Sequence, residues 1–381
     1  MRLLHAADLH LGKKLCEAAL LADQRWMLNR LLEIAAEEKA DALLIAGDVY
    51  DKSVPPAEAV GLLDEFLTRL SESGVPAFVT SGNHDSAERL AFAGRLLTAR
   101  QIYLSHAYDA AHASPEPILL RDEFGEAAVH LLPYLKPAHV RAAFPEARIE
   151  TYTDALRQAI DCLPVDASRR NVLVCHQLVT GARRSESEEL SIGGLDNVDA
   201  SVFAPFDYVA LGHLHHAQSI GGDAIHYAGS PLKYSFGEAN DEKSVTLAEL
   251  GPKGTLNLRM IPLTPPRALR ELHGSYAELT LRENYVNTQT DDYLHVTLTD
   301  EDDVPEAMAK LRTIYPNLLK LDYDNARTRG GGQSGGTDEA DRRSPLELLE
   351  QFYEEQNHQP MSGEQRAYAL KAMERIREER A

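Results

Sequence analysis

Residues 3–10 read LLHAADLH. A short apolar run, Leu3 to Ala7, ends in a polar pair, Asp8 and His10. The same grammar returns at 42–48, ALLIAGD, where Ala42 to Ala46 ends in Gly47-Asp48. It returns again at 77–85, AFVTSGNHD, where Ala77 to Thr80 ends in Gly82-Asn83-His84-Asp85. Between these runs, Leu20 to Glu38 and Ala57 to Leu70 carry helical spacing. Strands alternating with helices predict a parallel sheet and an α/β fold. Each polar cluster follows its strand, at the carboxyl end where open α/β sheets place ligands.

Beyond Pro117 the texture changes. Short β-like runs are expected at 117–120, 127–132, 171–175, 207–211, 225–228 and 244–250, with a helix near 152–162. Pro262 and the Pro265-Pro266 pair mark a boundary, so residues 1–266 form the first expected domain. Residues 267–324 follow as a small α+β module, helical over 267–282, extended over 293–298, helical over 304–314 and extended over 318–323. Residues 325–343 contain GGGQSGG and few apolar side chains, which suits a flexible linker. Residues 344–381 are helical again. Ser344-Pro345-Leu346-Glu347 has the form of a capping box with proline at the first helical position, and Ser362 to Gln365 repeats S-x-x-Q. Two helices are expected from there, joined near Asn357 to Pro360.

The 381 residues allow two or three domains, and 44% apolar with 26% charged residues excludes a disordered or fibrous chain. No apolar run reaches the roughly 18 residues of a membrane helix. His5 and Asp8 interrupt the N-terminal run before a signal-peptide core forms, so a cytoplasmic chain with no membrane partner is expected. Cys16, Cys162 and Cys175 lie far apart and form no CxxC pair, which excludes a disulfide framework or a zinc knuckle. No GxxxxGK[ST] occurs, so no nucleotide is expected to bind this chain. The formal net charge is −20, from 39 Lys plus Arg against 59 Asp plus Glu. Taken alone, that argues against non-specific nucleic-acid binding.

Two further clusters follow strand-like runs: Cys175-His176 and Gly212-His213-Leu214-His215. The five clusters together offer Asp8, His10, Asp48, Asn83, His176, His213 and His215 as candidate ligands, with His84 beside them. A single His after a strand is most often a hydrogen-bonded loop residue. In DxH and HxH the two side chains project to one side of an extended segment, and five such clusters in one chain make coincidence a poor account. Imidazole and carboxylate suit Mn, Fe or Zn rather than Ca or Mg alone. Seven ligands exceed the three or four of a single catalytic zinc site, which implies two metals.

The order DxH…GD…GNHD…H…GHxH resembles the calcineurin-type metallophosphoesterases. Within them, LLHAADLHLGKKL, LLIAGDVYDKS, GNHDSAERL, DYVALGHLHHAQ, YAGSPLKYSFGEANDEKSV and the tail SPLELLEQFYEEQN resemble the SbcD family of bacterial nuclease subunits. The resemblance covers essentially the whole chain apart from the linker. It implies two packed mixed β-sheets flanked by helices, a DNA-capping module and a C-terminal helical hairpin. It implies two divalent ions, Mn²⁺ by family resemblance, with Asp8, His10, Asp48 and His215 on one and Asp48, Asn83, His176 and His213 on the other. It assigns His84 to the transition state or the leaving oxygen rather than to a metal. It implies 3′→5′ exonuclease action on double-stranded DNA and endonuclease action on single strands or hairpins. It also implies ATP-dependent regulation through SbcC, a coiled-coil ATPase, with two copies of this chain in a heterotetramer. The setting it implies is DNA repair, replication and recombination.

Archaeal and eukaryotic relatives carry a second His just after the GD motif, whereas bacterial members share the carboxylate found here. Here Asp51 stands in that neighbourhood, and orienting a ligand is the alternative to a catalytic role. Two bound ions reverse the local electrostatics of an acidic protein, and the remote charge is screened beyond about 8 Å. Lys13, Lys14, Arg89 and Lys233 are candidate phosphate contacts, with solvated surface the alternative. Leu90, Phe92, Ala93, Leu96 and Leu97 form an apolar face that suits either the core or a dimer bundle with Leu63, Phe66, Leu67 and Leu70. In the tail, Leu346, Leu349 and Phe352 on the first helix and Met373 and Ile376 on the second are candidate contacts to the partner. Too few residues are present there to bury them alone. A phosphatase or cyclic-nucleotide phosphodiesterase, and a DNA-end scaffold with structural metals, remain as other readings.

Overall fold

A computed structural model of the chain describes residues 1–183, 196–326, 328, 345–357 and 360–369. Most of the Gly-rich linker, Ser344, Met373 and Ile376 fall outside these residues. Two compact units are present. One comprises Met1–Leu272, Arg282–Val296 and Met308–Leu321; the other comprises His273–Leu281, Thr297–Ala307 and Asp322–Ala381.

The first unit holds two six-stranded sheets. In one, Arg2–Ala6, Ala42–Ala46, Ala77–Thr80 and Ile102–Leu104 run parallel, and Ser244–Leu250 and Leu256–Pro262 extend it antiparallel. In the other, Gly125–Leu131, Arg170–His176, Tyr208–Gly212 and Ile225–Tyr227 are parallel neighbours, flanked by Ile118–Asp122 and Gln218–Ser219. The strands are apolar on both faces because each sheet is covered twice. Leu3, Leu44 and Phe78 pack with Val172, Val174, Tyr208 and Ala210 in one cluster between the sheets. The alternate residues Leu4, Ile45 and Val79 pack with Met27, Leu31, Leu62 and Phe66 of the helices Leu21–Glu37 and Ala57–Ser73. Leu173, Cys175, Val209 and Leu211 pack with Leu156 and Ile160 of the helix Tyr152–Asp161. The arrangement is helix, sheet, sheet, helix.

Several expectations change. Residues 267–282 are not one helix: Leu269–Gly274 is a strand, and only Tyr276–Thr280 and Arg282–Tyr285 are helical. Leu269–Gly274 joins Tyr293–Leu298 and Leu318–Tyr323 in a three-stranded sheet. The sequence LRELHG fits either period, and strand pairing decides it. Leu63, Phe66 and Leu70 belong to the core rather than to a dimer surface, as does Leu90, whereas Phe92 and Leu96 are 81% and 77% exposed. His5, His130 and His226 are buried structural groups.

In the second unit, the helix Pro345–Asn357 begins at the expected proline. Residues 363–369 are helical. Ser362 and Gln365 form the expected capping box, the Ser362 amide donating to Gln365 Oε1 at 2.9 Å and the Gln365 amide to Ser362 Oγ at 3.3 Å. Gln365 Nε2 donates to Tyr353 Oη at 2.9 Å, so the two helical segments meet as a hairpin. Leu346 and Leu349 are half-buried, and Phe352 is exposed. No helix among the described residues is long and apolar enough to cross a membrane.

Candidate metal centre

Register assembles the site. Ala6 stands beside Ile45 and Ala46 beside Thr80 in one sheet, and Gly212 beside His176 in the other, so each sheet delivers its following residues at its strands' carboxyl ends, where the two sets meet. There the chain turns sharply. Asp8, His10, Asp48 and His213 hold positive φ of 53°, 43°, 47° and 106°. Non-glycine residues adopt such angles only where surrounding contacts over-determine them, and they gather at functional sites.

The glycines of two motifs have a steric cause. A Cβ on Gly82 would lie 2.1 Å from Asp48 Oδ1. One on Gly212 would lie 1.8 Å from the Ala46 carbonyl oxygen. Only glycine lets these loops approach closely enough to bring their ligands together.

All seven candidate ligands converge. The ligating atoms of Asp8, His10 and His215 lie within 4.8 Å of one another, as do those of Asp8, Asp48 and His176 and those of His10, Asp48 and His84. Asp48 Oδ2 stands between the two halves, 3.8 Å from His10 Nε2 and 3.4 Å from His176 Nε2. Asn83 Oδ1 is 2.9 Å from both His176 Nε2 and His213 Nδ1. The His213 amide donates to Asp8 Oδ1 at 3.0 Å.

This donor set fits divalent ions. His176 donates from Nδ1 to the Ala46 carbonyl at 2.9 Å, which turns its Nε2 lone pair towards Asn83 Oδ1 when the ring is neutral. Two acceptors facing each other call for a cation. His10 Nε2 and His215 Nε2 stand 3.1 Å apart, while the buried His10 Nδ1 has no hydrogen-bond partner. Two imidazole nitrogens that face each other this closely are suited to share one cation.

Charge tells the same story. Burial pushes Asp8 up to about 7 against the pull of His176 and His215. Burial also opposes ionisation of Asp48, but His176, His10 and His84 hold it well below the usual carboxylate range. Burial disfavours a charged His176, yet Asp48 and Asp8 push it up to about 9. Without an ion, a proton on His176 takes the place of the missing positive charge.

His84 is half-buried. Its Nδ1 donates to the Asp51 carbonyl at 3.0 Å, and its Nε2 lies 4.0 Å from Asp48 Oδ2. Asp51 Oδ1 is 3.7 Å from His10 Nδ1 and accepts from Lys13 Nζ at 2.7 Å. Among the expected phosphate contacts, Lys13 therefore borders the site. Arg89 donates to the Ser53 carbonyl at 2.6 Å, and Lys233 donates to the Ala239 carbonyl.

Sequence reasoning gave no role to several residues that support the ligands. Asp85 is one: its carboxylate accepts from the amides of Val49, Tyr50 and Gly82 at 3.0, 2.8 and 2.9 Å. This ties the loop carrying Asp48 to the loop carrying Asn83. Gln24 Nε2 donates to the His10 carbonyl at 2.7 Å. Glu238 accepts from His215 Nδ1 at 3.1 Å. The available signal was charged or amide residues within motif stretches or on an otherwise apolar helix face.

A family model described as calcineurin-like phosphoesterase matches residues 1–217. The chain belongs to this family. Calcineurin-like phosphoesterases use divalent metals, and the matched region contains every candidate ligand. A second model, described as type 5 capsule protein repressor C-terminal domain and named SbcD_C, matches residues 265–357. The chain is 33% identical over 369 residues to the D subunit of the SbcCD nuclease of Staphylococcus epidermidis, covering 95% of each chain. It is therefore a phosphoesterase of the SbcD family. The crystal structure of TT1561 of Thermus thermophilus aligns with 68% of this chain and 98% of its own, at 13% identity and a TM-score of 0.40. That likeness is too distant to bear on the fold.

Proposed function

We propose that this chain is the nuclease subunit of an SbcC–SbcD-type complex and hydrolyses DNA phosphodiesters with two divalent ions, Mn²⁺ first among them. The observation that carries the reading is the gathering of all seven ligand-type side chains from the strand ends of both six-stranded sheets, in a chain similar along nearly its full length to a nuclease subunit. Asp8, His10, Asp48 and His215 would hold one ion, and Asp48, Asn83, His176 and His213 would hold the other. When bound, the ions neutralise charge on the phosphodiester and on the attacking and leaving oxygens.

The chain's own groups do the rest. The His84 amide donates to Asp48 Oδ1 at 2.9 Å and steadies the shared carboxylate. The Asp51 carbonyl holds the His84 ring through Nδ1, so Nε2 faces the site. With the ring protonated on both nitrogens, Nε2 would donate a hydrogen bond, or its proton, to the leaving oxygen. Asp51 and Lys13 brace His10 on the side away from His215. Lys13, with Arg89 and Lys233 in lesser measure, contacts the DNA backbone.

The proposed activities are 3′→5′ exonuclease on duplex DNA and endonuclease on single strands and hairpins, regulated by ATP through SbcC. Residues 1–266 would carry the chemistry, 267–324 would cap the DNA, 325–343 would link, and 344–381 would bind SbcC. A second copy of the chain is the proposed cover for Phe92 and Leu96. The test offers a labelled linear duplex, a hairpin and a chromogenic phosphate diester, with Mn²⁺ or Mg²⁺, and with and without SbcC and ATP. Cleavage of both DNAs is expected, stronger with SbcC and ATP. Hydrolysis of the small diester alone would overturn the reading in favour of a small-molecule phosphodiesterase.

A further inference from the structure

His215 is gripped twice from behind. Its Nδ1 donates to Glu238 Oε1 at 3.1 Å. Its carbonyl accepts from Lys243 Nζ at 2.9 Å. The two gripping residues are themselves joined, Lys243 Nζ lying 2.6 Å from Glu238 Oε2. Lys243 directs its remaining donor to Ser230 Oγ at 3.0 Å, and Ser235 Oγ donates to Glu238 Oε1 at 3.2 Å. Glu238 is 0% and Lys243 6% exposed.

Stability alone is a weak account of this arrangement. A buried ion pair returns little over a well-packed apolar pair of similar volume, because desolvating both charges offsets their attraction. One end of this pair falls on a ring that faces the metal centre. A carboxylate accepting from Nδ1 fixes the tautomer, leaves the lone pair on Nε2 and raises its basicity. That Nε2 is the atom 3.1 Å from His10 Nε2.

We infer that Glu238 and Lys243 are a positioning unit for His215: Glu238 sets the ring, and Lys243 fixes Glu238 and the His215 main chain together. The inference rests on the two-ion reading above. It is specific to one of the two ions, the one held by Asp8, His10 and His215, because neither residue contacts His176, Asn83 or His213 among the described contacts.

The test compares two double variants of the full chain, Glu238→Gln with Lys243→Met and Glu238→Leu with Lys243→Met. Neither carries a buried charge at these positions. They differ in whether position 238 still offers His215 an oxygen. Mn²⁺ binding is titrated through the paramagnetic signal of the free ion, and thermal stability is measured in EDTA. The leucine variant is expected to bind one ion roughly 10–100-fold more weakly and the other normally. The glutamine variant should stay within a few-fold of wild type at both. Equal affinities in the two variants would overturn the inference, and so would equal weakening of both ions. Nitrogen-15 spectra of the zinc-loaded wild-type protein need no variant and should show the His215 proton on Nδ1. A proton on Nε2 would overturn the inference even if the leucine variant did not fold. A wild-type chain that binds no ion tightly would instead overturn the two-ion reading, and this inference with it.

Discussion

His10 and His215 touch across 205 residues of sequence, and both are buried. Ser362 and Gln365 cap one helix from three residues apart, while Phe352 and Tyr368 nearby stay 60% and 77% exposed. The candidate metal centre thus joins short local pairs such as Asp8-His10 and His213-His215 through long-range contacts, with positive φ at Asp8, His10, Asp48 and His213. The C-terminal hairpin is built from local signals and leaves Phe352 and Tyr368 in water. A site that must hold ions in fixed geometry needs every ligand over-determined by its neighbours. Each large apolar group left exposed forgoes roughly 1.5–3 kcal/mol, which the proposed docking on SbcC would recover.

The contrast breaks most visibly at Asp48. Asp48→Ala removes the carboxylate that stands between His10 and His176, and should abolish hydrolysis and lower metal content well below two equivalents. Elemental analysis decides it, and two full equivalents retained would sink the shared-ligand assignment.

His84→Ala probes the same region without touching the proposed ligands. It should bind metal and DNA nearly normally and lose roughly 10²–10⁴-fold in cleavage rate. Wild-type cleavage would exclude the role, and loss of metal would make His84 a ligand.

At the other pole, Leu349→Glu with Phe352→Glu should abolish SbcC capture in a pull-down while intrinsic nuclease activity survives. Unchanged capture would remove docking as the reason for these exposed groups.

The smallest effect concerns pH. His176 binds its proton more tightly folded, at about 9, than at its ordinary 6.5. Its contribution is complete below 6.5 and lost as pH rises through 9. The metal-free protein should therefore lose on the order of 1–3 kcal/mol across that window. Bound Mn²⁺, which displaces the proton, should flatten the loss. Urea midpoints with EDTA or Mn²⁺ measure both, and a flat metal-free profile would remove the proton from His176.

Each candidate ligand was legible because it stands shortly after an apolar run, and strand ends are set by local sequence. The capping boxes were legible for the same reason. The strand at Leu269–Gly274 was not, since six residues of mixed pattern take their conformation from the strands they pair with. The supports were not legible either. Asp85 serves Val49, Tyr50 and Gly82, and only the last of these is near it in sequence.

By itself, the sequence determined which side chains could bind ions, that they follow strands, and where the helices of the tail begin. These are matters of residue type and short-range periodicity. The tertiary structure alone decided that Gly82 and Gly212 must lack a side chain, and that Glu238 and Lys243 stand behind His215. Those depend on parallel register and sheet packing, which bring together atoms that the chain separates by tens to hundreds of residues. No local pattern encodes the distance between them.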